Sequence, residues 1–438
     1  MTDIEYAEQF AKLINVPTVT NSGDEVFAHF REVLREVFPL AHETMEMTIC
    51  GENALLYKWT GKSDKKPIVL MGHQDVVPAD VEGWDTNPFE ATIKGDRIYG
   101  RGTLDCKNCL YMNLRTIEEL IAEGYTPDND VYVVASDNEE TMGDGTPHVV
   151  EELKKRGVRP YLVLDEGGAI IPQVMPGMDR PYAMIGVLEK GYADFKFTAK
   201  SNGGHSSRPP KNTPVARLSK FIAEVEDGNI FVKKMAPEVA MMLGEMSKSM
   251  HGALKTLLGN LKITKPLVTK VLPKASPEYG NALLSTTCVF TQTHASDAAN
   301  VIPAEAYAIA NLRFAPHQGK EACLKALREV AEKYDITVEC LQGHDAFPPI
   351  DTNNEAYKFL TDNIKKAYPK YGVAPYVIMV GTDCRHMQAI SDCALRFTPM
   401  TYEQDQMNCI HGNNENLSIA CLAQGITFTK ELIKQNTL

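Results

Sequence analysis

Five short polar clusters in this 438-residue chain set imidazoles and carboxylates directly after apolar runs or at loop–helix junctions. His73-Gln74-Asp75 closes the run KPIVLMG. Residues i and i+2 lie on one side of an extended chain, so an imidazole here can take a metal while the carboxylate holds its other ring nitrogen. A loop histidine beside a capping aspartate would leave the same letters. Asp105 sits in GRGTLDCKN, where it can cap a helix or bridge two cations with its two oxygens. Asn138-Glu139-Glu140 follows DVYVVAS. Adjacent acids repel, and burying them is costly unless cations compensate. One of the pair can then bind a metal and the other handle protons; the alternative is a solvated acidic loop. Asp165-Glu166-Gly167-Gly168 repeats the pattern after PYLVL, and His411 stands in CIHGNNENL before the last helical stretch. Histidine, aspartate and glutamate around a shared hydroxide suit zinc, whose catalytic sites keep one position open. Five such clusters in matching contexts are poorly explained as caps and solvated loops.

The elements that must position them alternate. Residues 5–15 and 24–38 have helical periodicity, 66–72 reads as a buried strand, and 93–99 as a hairpin turning at Gly95-Asp96. A helix over 109–124, a strand over 130–136, a helix over 147–156 and a strand over 160–164 follow. This alternation predicts an α/β fold, a mostly parallel sheet with helices on both faces, and such sheets form their sites beyond the carboxyl ends of the strands. The character changes near Gly186. GYADFKFTAKS alternates like a half-exposed antiparallel strand. A helix at 213–226, a Met- and Lys-rich helical stretch to about 275, strands at 283–293 and 304–314, a helix at 319–333 and the strand DITVECL complete an α+β block. After Gly343 the alternation resumes, with a helix at 354–368, the strand VIMV at 377–380 and a last helix at 416–435. The expected architecture is a catalytic α/β domain, 1–186 and 344–438, interrupted by an inserted α+β domain, 187–343.

Composition narrows the function classes. A net charge of −12 argues against a nucleic-acid partner. No segment approaches the roughly 18 apolar residues that span a bilayer, and the first residues carry acids rather than a basic n-region, so neither a membrane partner nor a secretory signal is expected. The expected location is cytoplasmic. The ten cysteines are expected to be reduced, and the single C-x-x-C, Cys106 and Cys109, has no second copy to complete a four-thiolate site.

The ordered set MGHQDVVP, the Trp-plus-NPF loop, IYGRGTLDCK, the Glu-Glu pair, VLDEGG, GGHSSRP, NVIPAEA, NLRF, GTDCRHM and IHGNNE resembles the M20 family of metallopeptidases over nearly the whole chain. The family includes carboxypeptidases, dipeptidases and aminoacylases. The resemblance implies two zinc ions per subunit, with cobalt or manganese as other candidates. It implies that His73 and Glu166 hold one ion, Glu140 and His411 the other, and that Asp105 bridges them. It also implies Glu139 as general base and Asp75 as the residue orienting His73. The inserted block would be a lid and dimerisation domain of a homodimer. His205 of GGHSSRP would reach the partner's active site and stabilise the oxyanion. Asn300 of NVIP and Arg385 of GTDCRH would hold substrate, Arg385 by gripping a free carboxylate through two bonds. Three features depart from the common pattern. Cys106 follows the bridging aspartate, where it is expected to lie outside the ligand shell. TMGDG is one residue longer than usual. Asp165 immediately precedes Glu166 and competes with it as a ligand.

The expected activity is zinc-dependent hydrolysis of the amide bond in dipeptides or short peptides with a free C-terminal carboxylate. An aminoacylase, removing an acyl group from an amino acid, needs the same centre and is the second reading. A non-catalytic scaffold is the third, disfavoured by the complete set of ligand types and Glu139.

Overall fold

The computed structural model describes residues 1–437 apart from positions 176 and 229. A nine-stranded sheet forms its centre. Asn129–Ala135, Ser63–Met71, Leu162–Asp165 and Ala394–Arg396 lie side by side and parallel. Glu46–Cys50 and Ala54–Trp59 extend this core by antiparallel pairing on one side. Tyr182–Glu189 joins antiparallel on the other and pairs in parallel with Gly372–Ile378. The expected α/β class with a largely parallel centre is what the chain forms.

The reason lies in the apolar runs. Along 68–71 and 131–134 every residue is buried, and alternate side chains enter different cores. Ile68, Leu70, Val131 and Val133 face the larger core, built with the helices Asp3–Ile14, Lys107–Ala122 and Ala420–Gln435. Val69, Met71, Tyr132 and Val134 face a smaller core under the helix Gly145–Lys155. Burial on both faces favours the near-continuous β-branched and aliphatic sequence of a parallel strand. Because three strands run in parallel with Met71 opposite Val134 and Leu70 opposite Leu164, their carboxyl ends reach the same edge. His73, Glu139, Glu140 and Glu166 follow those three ends.

The inserted block has its own sheet, in the order Thr287–His294, Glu305–Phe314, Gly191–Lys200, Ile336–His344, all antiparallel. Its inward residues, among them Phe195, Phe197, Ala308 and Ala310, pack with Phe221 and Leu327 of the helices Pro214–Asp227 and Lys320–Glu332 into a separate core. The helices between Pro237 and Leu284, which the sequence reading counted within 187–343, bury Val239, Met242, Leu243 and Leu261 in the larger core instead. One residue, Lys190, separates the last strand of the central sheet from the first strand of the insert. Its ammonium is buried and donates to the Ala282 and Ser285 carbonyls at 3.0 and 2.8 Å, and burial lowers its pKa to about 8.

Several elements differ from expectation. The segment expected as a strand over 283–293 begins as the end of a helix, Pro277–Leu284, and extends only from Thr287. The last helix starts at Ala420, because Asn416–Ser418 pairs with Arg97–Tyr99 as a third strand beside the 92–99 hairpin. Glu46–Cys50, Ala54–Trp59 and Ala394–Arg396 were not anticipated; they are short, the first two pair with each other as a hairpin, and Ala54–Trp59 and Ala394–Arg396 find their other partners far away in sequence. All ten cysteines are free, and no described helix is long and apolar enough to cross a membrane.

The insert's separate core predicts separable stability. Phe221→Ala is expected to cost about 3–5 kcal/mol. Hydrogen exchange should accelerate in Gly191–Lys200 while Ser63–Met71 keeps its protection; equal acceleration in both would mean one cooperative core.

Candidate metal centre

Gly72 lets the first strand end run close to the helix behind it. A Cβ there would stand 2.8 Å from the Leu110 amide nitrogen and 2.9 Å from the Cys109 Cβ. The next residue, His73, is buried, and its Nδ1 lies 2.9 Å from the Asp75 backbone carbonyl and 3.4 Å from Asp75 Oδ1. The closer partner is thus the main chain, not the carboxylate that the sequence reading favoured. With Nδ1–H donating to that carbonyl, Nε2 points at Asp105 and is the ring atom that would be offered to a cation.

Asp105 divides its carboxylate between two imidazoles. Oδ1 is 3.0 Å from His73 Nε2, and Oδ2 is 3.0 Å from His411 Nε2. The same His411 nitrogen lies 3.0 Å from Glu140 Oε2. Glu140 Oε1 is buried and has no hydrogen-bond partner among the described residues. His411 holds a left-handed backbone, φ 59°, which residues with a Cβ seldom adopt. Four of the five expected ligands are therefore contiguous. The ligand atoms of Asp105, Glu140 and His411 all lie within 4.8 Å of one another.

Glu166 and Glu139 complete the cluster electrostatically. Burial pushes the Glu166 carboxyl well above its usual range, and Asp105, Asp165 and Glu139 add to the rise while His73 opposes it. Glu139 is raised by burial too, with Asp383, Asp105 and Glu140 repelling its charge against the pull of His73. The His411 imidazole is pushed up to about 10 by its hydrogen bonds to Asp105 and Glu140. Burial works against the charge on Asp105, yet His411 and His73 hold its carboxyl below the ordinary range. So many carboxylates in one buried place call for positive charge beyond two imidazoles. Oxygen and imidazole donors shared through one aspartate fit a pair of divalent cations.

The competition between Asp165 and Glu166 has a geometric answer. Asp165 Oδ2 accepts the Cys384 amide at 2.8 Å, so this acid fastens the 382–387 loop while Glu166 faces the cluster. Cys106 stands nearer than expected, with Sγ grouped with His73 and Asp105 and accepting the His73 amide at 3.3 Å. Burial and the neighbouring Cys109 keep it a thiol rather than the thiolate a metal takes. Asp75 has a second task besides His73. Its Oδ1 accepts the Glu139 amide and its Oδ2 the Glu140 amide, both at 3.2 Å, while Thr20 donates to Oδ2 at 2.7 Å.

Sequence reasoning passed over Glu415, although it stands inside the quoted motif IHGNNE. It is fully buried, and one oxygen accepts the Leu104 and Asp105 amides at 2.7 and 3.1 Å. The other accepts Arg101 Nη1 at 2.6 Å and the Gly102 amide at 3.1 Å. Arg101 in turn donates to the Gly412 carbonyl at 3.0 Å. This pair binds the loop carrying Asp105 to the loop carrying His411. The available signal was an acid four residues after a candidate ligand, paired with the arginine of GRGTLD.

The expected substrate residues are spread out. His205 is exposed on a two-stranded ribbon, Gly204–His205 against Val301–Ile302, and its Nδ1 accepts the Ser207 amide at 3.1 Å. Asn300 is exposed beside it, its carbonyl accepting the Ser206 amide at 3.0 Å. Within one chain no hydrogen bond or ion pair among the described residues joins either to the metal cluster. Arg385 is buried and donates from Nη1 to the Thr382 carbonyl at 2.6 Å. Two neighbours went unnoticed in the sequence. Arg313, from NLRF in the insert, is lowered by burial and by the nearby Arg385 charge. His386 has a buried Nε2 without a partner, and burial together with Arg385 lowers it to about 4, so it stays neutral.

The profile of Peptidase family M20/M25/M40 matches residues 69–435. The chain belongs to this M20 peptidase family. As an M20 enzyme it is a hydrolase, and the family is one of metal-dependent peptidases. It is 30% identical over 447 residues to a probable carboxypeptidase S-like 2 of Dictyostelium discoideum, covering 99% of this chain and 85% of the relative. It is 30% identical over 442 residues to the N-fatty-acyl-amino acid synthase/hydrolase PM20D1 of Bos taurus, covering 98% and 88%. The fold is similar to an M20 metallo-carboxypeptidase, Sso-CP2 of Sulfolobus solfataricus, with TM-score 0.71, 20% identity and 98% of each chain covered. Human carnosine dipeptidase 1 superposes with TM-score 0.69 at 15% identity, covering 98% and 95%.

Removing Glu415 tests the clamp in this M20 hydrolase. Glu415→Ala strands the buried Arg101 charge and is expected to cost about 3–5 kcal/mol. Metal content should fall with it, read by thermal unfolding and elemental analysis. A variant with full stability and full metal would leave the clamp without a role.

Proposed function

We propose that the protein hydrolyses an amide bond whose nitrogen belongs to an amino acid with a free carboxylate, as in dipeptides and short peptides, using two zinc ions. The observation that carries this reading is Asp105 shared between His73 and His411, with Glu139, Glu140 and Glu166 gathered around it. His73 and Glu166 would hold one ion, Glu140 and His411 the other, with Asp105 between them. Bound there, the ions lower the pKa of water toward neutrality and polarise the scissile carbonyl.

The remaining work falls to the chain. Glu139 takes the proton of the attacking water and passes it to the leaving nitrogen. Its raised pKa suits a group that must hold a proton between two steps. Asp75 fixes Glu139 and Glu140 through their amides, so base and ligand keep one relative position. Arg385 and Arg313 mark the place of the substrate carboxylate: two guanidiniums that feel each other's charge are relieved by an anion between them. His205, exposed on the insert, would donate to the oxyanion in the partner subunit's active site of a homodimer, with Asn300 beside it.

The relatives support a second reading. One is named for peptide chemistry and one for N-fatty-acyl-amino acids, and both names concern an amide to an amino acid. The acyl side then separates a peptide from an N-acyl amino acid, and the metal centre does not distinguish them. A panel of dipeptides against N-acyl amino acids, with zinc supplied, decides it. Faster turnover of the N-acyl series assigns the protein as an aminoacylase.

Glu139→Gln is expected to keep its metal and lose at least about 100-fold in kcat; a metal-replete variant with near-normal turnover removes Glu139 as the base. His205→Ala should lower kcat with zinc content unchanged. Mixing it with Glu139→Gln should restore part of the activity, because each mixed dimer contains one site with both groups intact. No recovery on mixing would place His205 in its own subunit's chemistry.

A further inference from the structure

Six lysines, at positions 248, 255, 262, 265, 270 and 274, fall in a stretch without a single Asp or Glu, in a chain of net charge −12. Lys248 precedes the helices and pairs with Glu245 at 2.7 Å, and the other five stand in the helices Gly252–Gly259 and Leu261–Ala275. Their inner residues Leu258, Leu261 and Val268 are buried in the larger core. The outer face is not polar. Ile263 is 82% exposed, Leu267 54% and Val271 41%, at i, i+4 and i+8 on one row of the helix. Lys262, Lys270 and Lys274 are exposed around that row, and Leu254, Lys255 and Tyr279 are exposed on the adjoining helices.

We infer that this face rests on an anionic phospholipid surface. An aliphatic row ringed by lysines, with an exposed tyrosine nearby, is what an interfacial helix presents: the apolar side chains enter the headgroup boundary and the ammonium groups meet lipid phosphates. The competing occupants fit less well. Nucleic acid would use the lysines and gain nothing from exposed Ile263 and Leu267. A second copy meeting the same patch about a two-fold axis would set lysines against lysines with no acid in the segment to offset them. No membrane partner is expected from the absence of a spanning segment, but surface attachment needs none. The inference does not depend on the proposed substrate.

The test is co-sedimentation of the full chain with vesicles of phosphatidylcholine alone or mixed with phosphatidylserine. Binding is expected only to the mixed vesicles and is expected to disappear in high salt. Ile263→Asp combined with Leu267→Asp should weaken it at least about tenfold, as should Lys262→Glu with Lys270→Glu. All four positions are exposed, so thermal unfolding and hydrolysis of a soluble substrate should stay unchanged. Failure to bind the mixed vesicles, or equal binding to both kinds, overturns the inference. So does self-association in sedimentation velocity that the Ile263→Asp, Leu267→Asp variant abolishes, since the face would then belong to a second copy.

Discussion

One carboxylate shared between two imidazoles organises the centre. Asp105 sits where its oxygens meet His73 on one side and His411 on the other, and the remaining acids are arranged about that axis. The arrangement is expensive for a protein alone. Burial drives the carboxyls of Glu139 and Glu166 upward, and the acids around them, Asp105 among them, add to the rise. Protein donors that could soothe them are used elsewhere: the Glu139 and Glu140 amides go to Asp75, and the amides beside Asp105 go to Glu415. The fold thus satisfies the backbone from elsewhere and leaves the side-chain oxygens and nitrogens facing one another, which is the condition for ligating a cation.

Holding such groups together requires rigid supports, and they come in two kinds. Parallel pairing brings His73, Glu139, Glu140 and Glu166 to one sheet edge, because strands of matched register end together. Asp105 and His411 follow no strand of that sheet. They reach the edge on loops, and a buried ion pair does for those loops what the ladder does for the strands. Glu415 accepts three amides and a guanidinium, so its charge is compensated at four points. A buried ion pair adds little net stability where an apolar pair could replace it. Here an apolar pair would leave the three amides unpaired, so the clamp specifies a loop conformation that packing alone would not.

These two kinds of support also explain what was legible in the sequence. The strand-end residues were readable because a long buried strand has a strong apolar signature and the polar cluster follows it directly. The fold class came from the same runs. Glu415 was hidden: a buried acid in a loop rich in Asn and Gly looks like any solvated loop until its partners are known. Asp75 was read for His73 alone, since nothing local reveals that residues 64 and 65 positions onward donate their amides to it. Arg313 lies in a strand whose alternating pattern announces only a half-buried sheet. The short strands Glu46–Cys50 and Ala394–Arg396 carry too few residues for any period; the first forms by hairpin pairing with Ala54–Trp59, the second by long-range pairing alone. Cys106 was placed outside the shell by analogy of position, whereas the loop path brings its sulfur to the His73 amide.

On the proposed reading, the two guanidiniums would give the insert a part in substrate capture. Arg385 belongs to a loop fastened to the central sheet by Asp165 and by its own bond to Thr382. Arg313 belongs to the middle of the inserted sheet. A carboxylate that engages both therefore bonds to two hydrophobic cores at once. The junction at Lys190 is tied to the larger core, because its buried ammonium donates to the Ala282 and Ser285 carbonyls at the end of the helices that pack there. On that reading a substrate without a carboxylate would lose the anchor that the two arginines share. The free carboxylate would then be read where the two sheets meet, and the acyl side on the other flank of the metal centre.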